Sequence, residues 1–419
     1  MRRRQFEAYL DKVFAFSDLV AQLSDRRSHP QHPCRKVFEA LFLGAVLQCP
    51  SLHQLERECR AGVLRRRIGP VSEDTFRYTL QRLALDRLFA LGCEVARRLK
   101  RNGVLRTGAA GGLVVAAIDG TEVCCSEVGC CEACLERTVH RRVGDETRAV
   151  TEYYHRMVAV GIVSTPFPIP VGLRFQRKGE GEDRCALALL RDLVARLGRR
   201  FLDVVVGDAL YCTTPVVDAL AELGLSWVFT VKDNQPELAA EVERLTTSPP
   251  TAWGEEPTGR WALWHLPEVS WPAADRTVRV VKMGRTERKR RLAIRSSGAG
   301  RRPVKEPVWE PSTNVYATDL ELIHGSPALV EQLGRSRWRI DTEVFQTLTT
   351  ACALKRPSVH QNHDQALVGL TMIRVLAYTL ALVYYHRQVL SHYRRDRPSF
   401  RHLARRLAVA FAVGTPDTS

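Results

Sequence analysis

The chain is 419 residues long, a length that predicts two or three domains rather than one. Hydrophobic residues make up 45% of it and charged residues 26%, which is globular composition and excludes a wholly disordered, collagen-like or coiled-coil chain. The 62 Lys and Arg against 46 Asp and Glu give a net charge of +16, and an excess of this size indicates a polyanionic partner.

Neither the cysteines nor the apolar segments indicate a secreted or membrane protein. The chain has 12 cysteines, but it is too long to need the disulfides that small secreted domains need. Charged residues interrupt the apolar stretch near the N-terminus, so we expect no signal peptide and reduced thiols in a cytoplasm. Residues 366–385 could span a membrane by length, but Arg374 near the middle would be costly in lipid, which predicts a buried helix instead.

The first part of the chain, residues 1–105, has apolar side chains at helical spacing and no convincing strand. Ser72, which two acidic residues follow, is a plausible helix start. A basic cluster that includes Arg65, Arg66 and Arg67 lies just before it. The pattern predicts either a helix-turn-helix that enters a DNA groove or a plain helical bundle with a solvated basic face.

Strands alternate with helices after a glycine-rich linker at residues 106–112. Residues 113–118 form an apolar, β-branched run that ends at a turn beginning with Asp119, and the similar run 203–208 ends in Asp208. Further strands are predicted at 155–164, 169–176 and 226–232, and helices at 183–197, 214–223 and 236–245. This alternation predicts an α/β sheet with functional groups at the carboxyl ends of its strands.

The pattern changes again at about residue 250. Residues 250–320 are rich in Trp, Arg and Pro, and candidate strands at 278–283, 291–294 and 314–318 predict a β-rich insertion into the α/β domain. A helical C-terminus is predicted from residue 326 to about 407.

The candidate chemistry lies in the acids that follow the apolar runs. Asp119 and Asp208 would meet if their strands are neighbours, and two adjacent carboxylates need a cation, typically Mg²⁺. A third acid from a helix would complete a site for two metal ions, which activates a water or a 3′-hydroxyl for attack on phosphate. Either aspartate alone could be an ordinary turn or cap residue, but both at strand ends in a basic α/β chain favour the metal site.

Four segments resemble, in their order, the motifs of DDE transposases, the insertion-sequence enzymes with a ribonuclease H-like catalytic core. They are Ala117-Ile-Asp119-Gly-Thr121, Gly207-Asp208-Ala-Leu-Tyr211, Val231-Lys-Asp-Asn-Gln235 and Gly334-Arg-Ser-Arg-Trp-Arg-Ile-Asp341. The resemblance implies an α/β ribonuclease H-like catalytic domain over residues 113–385, a mixed sheet flanked by helices with the β-rich insertion inside it. Residues 1–105 would be an all-α DNA-binding domain, and residues 386–419 a basic helical tail.

The resemblance also implies roles for single residues. Asp119 and Asp208 match the first two metal-binding acids, and the register of the last motif puts the third acid on Asp341, where the family has Glu. Glu343 is the alternative third acid, but on an α-helix a step of two residues turns a side chain by about 200°, which favours Asp341. The lysine that the family carries one to two turns later is replaced by the segment 348–350.

Two basic residues of the motifs are candidate DNA contacts. Arg337 would pair with a DNA phosphate, as the matching arginine of the family does, or neutralise the acids; a surface salt bridge is the plainer alternative. Lys232 could likewise contact the backbone. Trp338 is predicted to belong to the core rather than to stack on a base.

By this resemblance the chain is a transposase of a bacterial insertion sequence, cytoplasmic and associated with the nucleoid. It would use two Mg²⁺ or Mn²⁺ ions to cleave transposon ends and transfer the strands into target DNA. Its partners would be the terminal inverted repeats, the target DNA and, in the DNA complex, a second copy of the chain. The alternatives are a catalytically inactive or domesticated sequence-specific DNA-binding protein and a stand-alone nuclease on the same fold.

A cluster of cysteines follows the first aspartate. Cys131 and Cys134 have the CxxC spacing that places two thiolates on one zinc ion. Cys124 or Cys125 with His140 could supply a second pair of ligands. The alternative is a set of free buried thiols.

Overall fold

The computed structural model of the chain describes residues 3–105, 110–129, 131–143, 146–257, 259–297, 300–321, 326–356, 359, 364–392 and 399–413. Two compact units divide the chain: Met1–Thr107, Ile118–Phe201 and Arg339–Ser419 form the first, and Gly108–Ala117 and Leu202–Trp338 form the second. The predicted linker and basic tail fall in part on residues outside these described ranges. They and the other domain boundaries stay predictions.

Helices occupy both ends of the chain and alternate with strands between them. The α-helices of the described residues are α1 (Arg3–Phe14), α2 (Phe16–Ala21), α3 (Cys34–Val46), α4 (Leu52–Arg60), α5 (Glu73–Leu80), α6 (Leu85–Arg101), α7 (Glu182–Leu197), α8 (Thr214–Leu223), α9 (Pro236–Leu245), α10 (Pro327–Ser336), α11 (Gln346–Ala351), α12 (Asp364–Tyr384) and α13 (Phe400–Val413). Two segments, Ile340–Phe345 and Tyr385–Val389, are π-helical.

The strands form one mixed sheet. They are β1 (Val115–Ser126), β2 (Leu135–Val143), β3 (Glu146–Ile162), β4 (Ile169–Phe175), β5 (Val204–Gly207), β6 (Ser226–Thr230), β7 (Ala252–Glu256), β8 (Gly259–Trp271), β9 (Arg276–Ser297) and β10 (Gly300–Thr318). Their order is β2-β3-β1-β5-β6-β10-β9-β8-β7, and β4 pairs with β3. β1 contributes residues to both units.

Helix α12 is the buried centre of the first unit. It is apolar on all sides and packs against α3, α5, α6 and β4. Arg374 is buried within it, and its Nη1 donates a hydrogen bond of 2.8 Å to the carbonyl oxygen of Ala353. The helical stretch Asp364–His392 is long and apolar enough to cross a membrane, but 89% of its apolar window is covered by protein. This helix is therefore buried, as predicted.

The predicted helix start at Ser72 is confirmed. The Ser72 hydroxyl accepts a hydrogen bond from the Thr75 backbone N–H, and Glu73 and Asp74 lie in the first turn of α5. The hydroxyl satisfies an N–H that has no partner within the helix, and the two acids favour the positive end of the helix dipole. Ser51 caps α4 in the same way, through the N–H of Gln54.

Parallel strands and helices alternate in the second unit. β1 pairs in parallel with β5, and β5 with β6. Helix α8 has a proline in its first turn and ends at Leu223, directly before Gly224, whose φ of +71° suits a residue without a side chain. Because these signals are local, the bounds of α8 and α9 are those that the sequence predicts.

The β-rich insertion consists of longer strands than predicted. β9 and β10 form one antiparallel hairpin from Arg276 to Thr318, so the candidate strands 278–283 and 291–294 are two parts of the same strand. β10 continues the central sheet by pairing with β6 at its far end, where Tyr316 lies opposite Thr230.

Two other strands also differ from their predicted bounds. β1 does not end at Asp119 but runs on to Ser126, with Val123 and Cys124 buried, so the prediction of a turn at Asp119 is wrong. β3 begins at Glu146 rather than at residue 155 because its first half pairs with β2. Charged, largely exposed side chains on that half hide the apolar alternation from which a strand is read.

Candidate active site

Asp119 lies within β1, directly after four buried residues of that strand, Val115–Ile118. Its side chain is half-buried, and Oδ1 accepts a hydrogen bond of 2.9 Å from the backbone N–H of Gly120. A main-chain donor of this kind fixes the orientation of the carboxylate.

The carboxylate of Glu182 lies close to the backbone of Gly120, the residue after Asp119. A Cβ on Gly120 would lie 2.4 Å from Oε2 of Glu182, the first residue of α7. Glu182 is nearly buried and forms an ion pair with Arg156, with 2.6 Å between Nε and Oε2. Sequence reasoning missed Glu182 and Arg156, since nothing in their local pattern ties them to Asp119.

Asp208 follows β5 directly and begins a short 3₁₀ turn. Its side chain is half-buried, and Oδ1 accepts a hydrogen bond of 2.9 Å from the N–H of Leu210. The last residues paired between β1 and β5 are Ala117 and Val206. Asp119 lies two residues after the first of these and Asp208 two residues after the second.

Arg339, two residues before the proposed third acid Asp341, donates several hydrogen bonds. Arg339 donates to the carbonyl oxygens of Val163 and Thr165, each at 2.7 Å, and to the Glu343 carboxylate four residues on. Glu343 is thereby engaged in an ion pair, whereas the Asp341 side chain is exposed and has no such partner among the described residues.

The helix around Asp341 is not an α-helix. Residues Ile340–Phe345 form a π-helical turn, in which hydrogen bonds run from residue i to i+5 and the turn is wider. The expected rotation between Asp341 and Glu343, which assumed an α-helix, therefore does not apply to this segment. π-Helical turns within longer helices occur frequently at functional sites.

Arg337 and Trp338 form a cation–π pair before this turn. The guanidinium carbon lies 4.4 Å from the centre of the Trp338 ring, and Arg337 is itself buried. The prediction that Trp338 belongs to the core is wrong: the residue is 52% exposed. The burial of Arg337 also argues against the plain surface salt bridge.

The profile of the transposase DDE domain family matches residues 111–380, more than half of the chain. The chain belongs to this family of DDE transposases. No curated protein sequence matches it.

Membership in the family confirms the predicted fold class and the general role. The transposase has the mixed sheet flanked by helices that a ribonuclease H-like core requires, with a helical N-terminal region and C-terminal helices. Members of the family act on DNA in transposition and use divalent metal ions. Asp119, Asp208 and Asp341 all lie within the matched segment.

The basic residues of the transposase that are predicted to contact DNA differ in exposure and in their ion pairs. Arg65, Arg66 and Lys232 are exposed. Arg67 is instead held between two carboxylates, at 3.2 Å from Glu7 and 3.0 Å from Glu39. Arg67 thus has a structural role in the helical region in addition to any contact with DNA.

The cysteine cluster of the transposase assembles with a histidine that sequence reasoning missed. The side chains of Cys131, Cys134 and His155 converge, whereas His140, the predicted partner, is exposed. Burial, more than its neighbour Cys134, raises the pKa of Cys131 to about 11. Because β2 and β3 are paired, His155 reaches the CxxC turn from 21 residues away, a distance that no spacing rule covers.

Proposed function

We propose that this transposase cleaves DNA at the ends of a bacterial insertion sequence and transfers the cut strands into target DNA. The observation that carries the proposal is the relation of Asp119 and Asp208 to the paired strands β1 and β5. Each acid lies two residues beyond the last paired residues, in the segment that matches the DDE domain. Asp341 on the π-helical turn is the proposed third acid.

The three side chains suit the metal ions that the family uses. All three are carboxylates, and hard oxygen ligands are those that Mg²⁺ and Mn²⁺ prefer. The backbone N–H of Leu210 donates a hydrogen bond to Oδ1 of Asp208. Oδ2 accepts no hydrogen bond from the described residues and is available to a cation. The exposed Asp341 carboxylate is likewise available.

The chemistry proposed is in-line attack on phosphate. When bound, a pair of Mg²⁺ or Mn²⁺ ions supplies an activated nucleophile and stabilises the leaving oxygen. Cleavage breaks one P–O bond by hydrolysis and leaves a 3′-hydroxyl. This hydroxyl then attacks a phosphodiester of the target, where a new P–O bond forms as the bond to the target strand's own 3′-oxygen breaks. The N–H groups of Gly120 and Leu210 orient the carboxylates of Asp119 and Asp208 before DNA arrives.

The DNA contacts proposed are spread along the chain. Arg65 and Arg66 of the helical region and Lys232 after β6 are exposed cations that can meet phosphates. Arg337 would act on DNA or on the acids from its buried position beside Trp338. The net charge of +16 adds a long-range attraction, so affinity should fall steeply with salt.

The hairpin of β9 and β10 adds a contact surface that the sequence did not suggest. Arg288 and Trp309 lie directly opposite each other on the two strands and are both exposed. Opposed residues of an antiparallel pair point to the same face, which sets a cation beside an exposed ring. Such a pair suits a phosphate and an adjacent base.

Two transposon ends have to be joined, so we expect a homodimer on the terminal inverted repeats, in a bacterial cytoplasm at the nucleoid. Residues 1–105 would bind the ends and residues 113–385 would carry the chemistry. The competing function is a DNA-binding protein without catalysis, which the shorter Asp341 and the absence of a lysine at 348–350 favour.

The test is excision of a marked cassette bounded by the sequences that flank the gene. Asp119→Asn and Asp208→Asn should each abolish excision, and both should still bind the ends in a mobility-shift assay. Asp275→Asn is the matched control: this exposed aspartate has a φ of +47°, which Asn tolerates, and it should excise normally. Binding by the wild type without excision would favour the inactive protein. Cutting without rejoining would favour the nuclease.

A further inference from the structure

We propose that Cys131, Cys134 and His155 bind a zinc ion, separate from the metal ions of the acids. The Nε2 of His155 lies 3.2 Å from Sγ of Cys131 and 3.5 Å from Sγ of Cys134, and the two sulfurs are 3.7 Å apart. None of the three residues belongs to the proposed machinery for DNA cleavage.

Two of these three separations match those that a tetrahedral zinc ion would impose. Bond lengths of about 2.3 Å to sulfur and about 2.0–2.1 Å to nitrogen place two sulfurs about 3.8 Å apart, and a sulfur and a nitrogen about 3.6 Å apart. The sulfur pair and the contact of Cys134 with His155 are within about 0.1 Å of these values. The contact of Cys131 with His155 is the shorter one, and it involves the more exposed of the two cysteines.

Two features of the backbone bring the ligands together. A tight turn, with a hydrogen bond of 3.2 Å from the Cys134 N–H to the Cys131 carbonyl, turns both thiols to one side. β2 begins directly after Cys134, and its first residue, Leu135, pairs with Tyr154 of β3. That register sets Cys134 beside His155, the residue after Tyr154.

The surroundings suit a bound ion of this class. Cys134 and His155 are almost completely buried, at 1% and 2% exposure, and neither cysteine forms a disulfide. Thiolate and imidazole ligands select zinc over Mg²⁺ and Mn²⁺, which prefer oxygen. His155 also lines an open cavity, which gives the ion a route in and leaves room for a water in the fourth position.

The ion would fasten the connection between β1 and β2 to the middle of β3. This connection follows the strand that carries Asp119. A zinc site here would act by holding the chain rather than by taking part in the reaction, since it would join two ligands on the turn before β2 to one on β3.

The experiment is a measurement of zinc bound to the full-length protein, purified with reducing agent and passed through a chelating column. Wild type should carry about one zinc per chain, and Cys134→Ser and His155→Ala should lose nearly all of it. Cys125→Ser is the matched control, an exposed cysteine of the same cluster that should keep its zinc. Asp119→Asn should also keep it, which separates this ion from the catalytic ones.

A second measurement covers variants that fail to fold. Cobalt added to metal-free wild type should give the charge-transfer absorption of thiolate ligands, and zinc should remove it and raise the melting temperature. Wild type that takes up no zinc or cobalt under reducing conditions would overturn the proposal. So would loss of zinc from Cys125→Ser to the same extent as from Cys134→Ser.

Discussion

The guanidinium of Arg339 holds the carboxylate of Glu343 with two hydrogen bonds, 2.7 Å from Nε to Oε1 and 3.2 Å from Nη2 to Oε2. The same guanidinium donates hydrogen bonds to the carbonyl oxygens of Val163 and Thr165. Arg339 therefore links Glu343, in the π-helical turn, to the backbone after β3. Asp341, between Arg339 and Glu343 in sequence, is exposed. This arrangement supports the proposal that Asp341, rather than Glu343, is the third acid.

We therefore expect Asp341→Asn to reduce strand cleavage at least about a hundredfold, because even an outer-shell partner of a metal typically contributes about 10- to 100-fold. Glu343→Gln should keep cleavage and lower the free energy of unfolding by less than about 1 kcal/mol, the usual worth of a partly exposed ion pair. Cleavage of an end oligonucleotide and urea unfolding measure the two effects. The opposite pattern of cleavage would assign the third acid to Glu343.

Gly120→Ala should destabilise the protein by about 1–3 kcal/mol, because the new methyl group has to displace a carboxylate that Arg156 holds. The matched substitution is Gly92→Ala in the interior of α6, where a Cβ meets nothing within 4 Å. There the helix should gain about 0.5–1 kcal/mol. Urea unfolding of both variants measures the difference. Equal effects would mean that Glu182 moves aside freely.

The basic cluster before α5 should divide into two kinds of residue. Arg65→Ala and Arg66→Ala should weaken binding to the transposon ends with little effect on stability, since both side chains are exposed. Arg67→Ala should lower the free energy of unfolding by about 1 kcal/mol, because it releases Glu7 and Glu39. Thermal unfolding and mobility shifts separate the two effects. Normal end binding by the double variant of Arg65 and Arg66 would refute their role.

The exposed pair Arg288 and Trp309 on the β9–β10 hairpin predicts how the affinity for DNA depends on salt concentration. Arg288→Gln should reduce the slope of log affinity against log salt by about 0.9, the loss of one phosphate contact. Trp309→Ala should cost about 1–3 kcal/mol of binding through lost stacking and leave the slope unchanged. Lys282→Gln on the same strand is the control, because Glu243 pairs with Lys282 at 2.7 Å. An unchanged slope for Arg288→Gln would place the DNA elsewhere.

Sequence reasoning succeeded where the signal was local. The bounds of α8 and α9 follow from proline near the start and from glycine or polar residues at the end, and Ser72 marks α5 through its own hydroxyl. The order of the motifs was enough to predict the family, and Asp119 and Asp208 each follow a short apolar run that is recognisable without the fold.

Sequence reasoning failed where a neighbouring strand or helix decides where an element begins and ends or which side chains come together. β1 continues past Asp119 and β3 starts at Glu146 because neighbouring strands pair with them, and the sequence of one strand does not contain that information. His155 reaches the cysteines only through the pairing of β2 with β3. The apolar character of Trp338 predicts a core residue, but the ring is exposed and lies beside Arg337.

The position of α12 has a consequence for synthesis of the protein. The N-terminal helices α3 and α6 bury apolar side chains against α12, which the ribosome makes some 260 residues after α6 ends. Until then their faces have to be covered by chaperones or by non-native contacts. A chain cut short by a frameshift or a stop codon before residue 364 would lack the helix that completes this core, so truncated products should be recovered as aggregates or degraded.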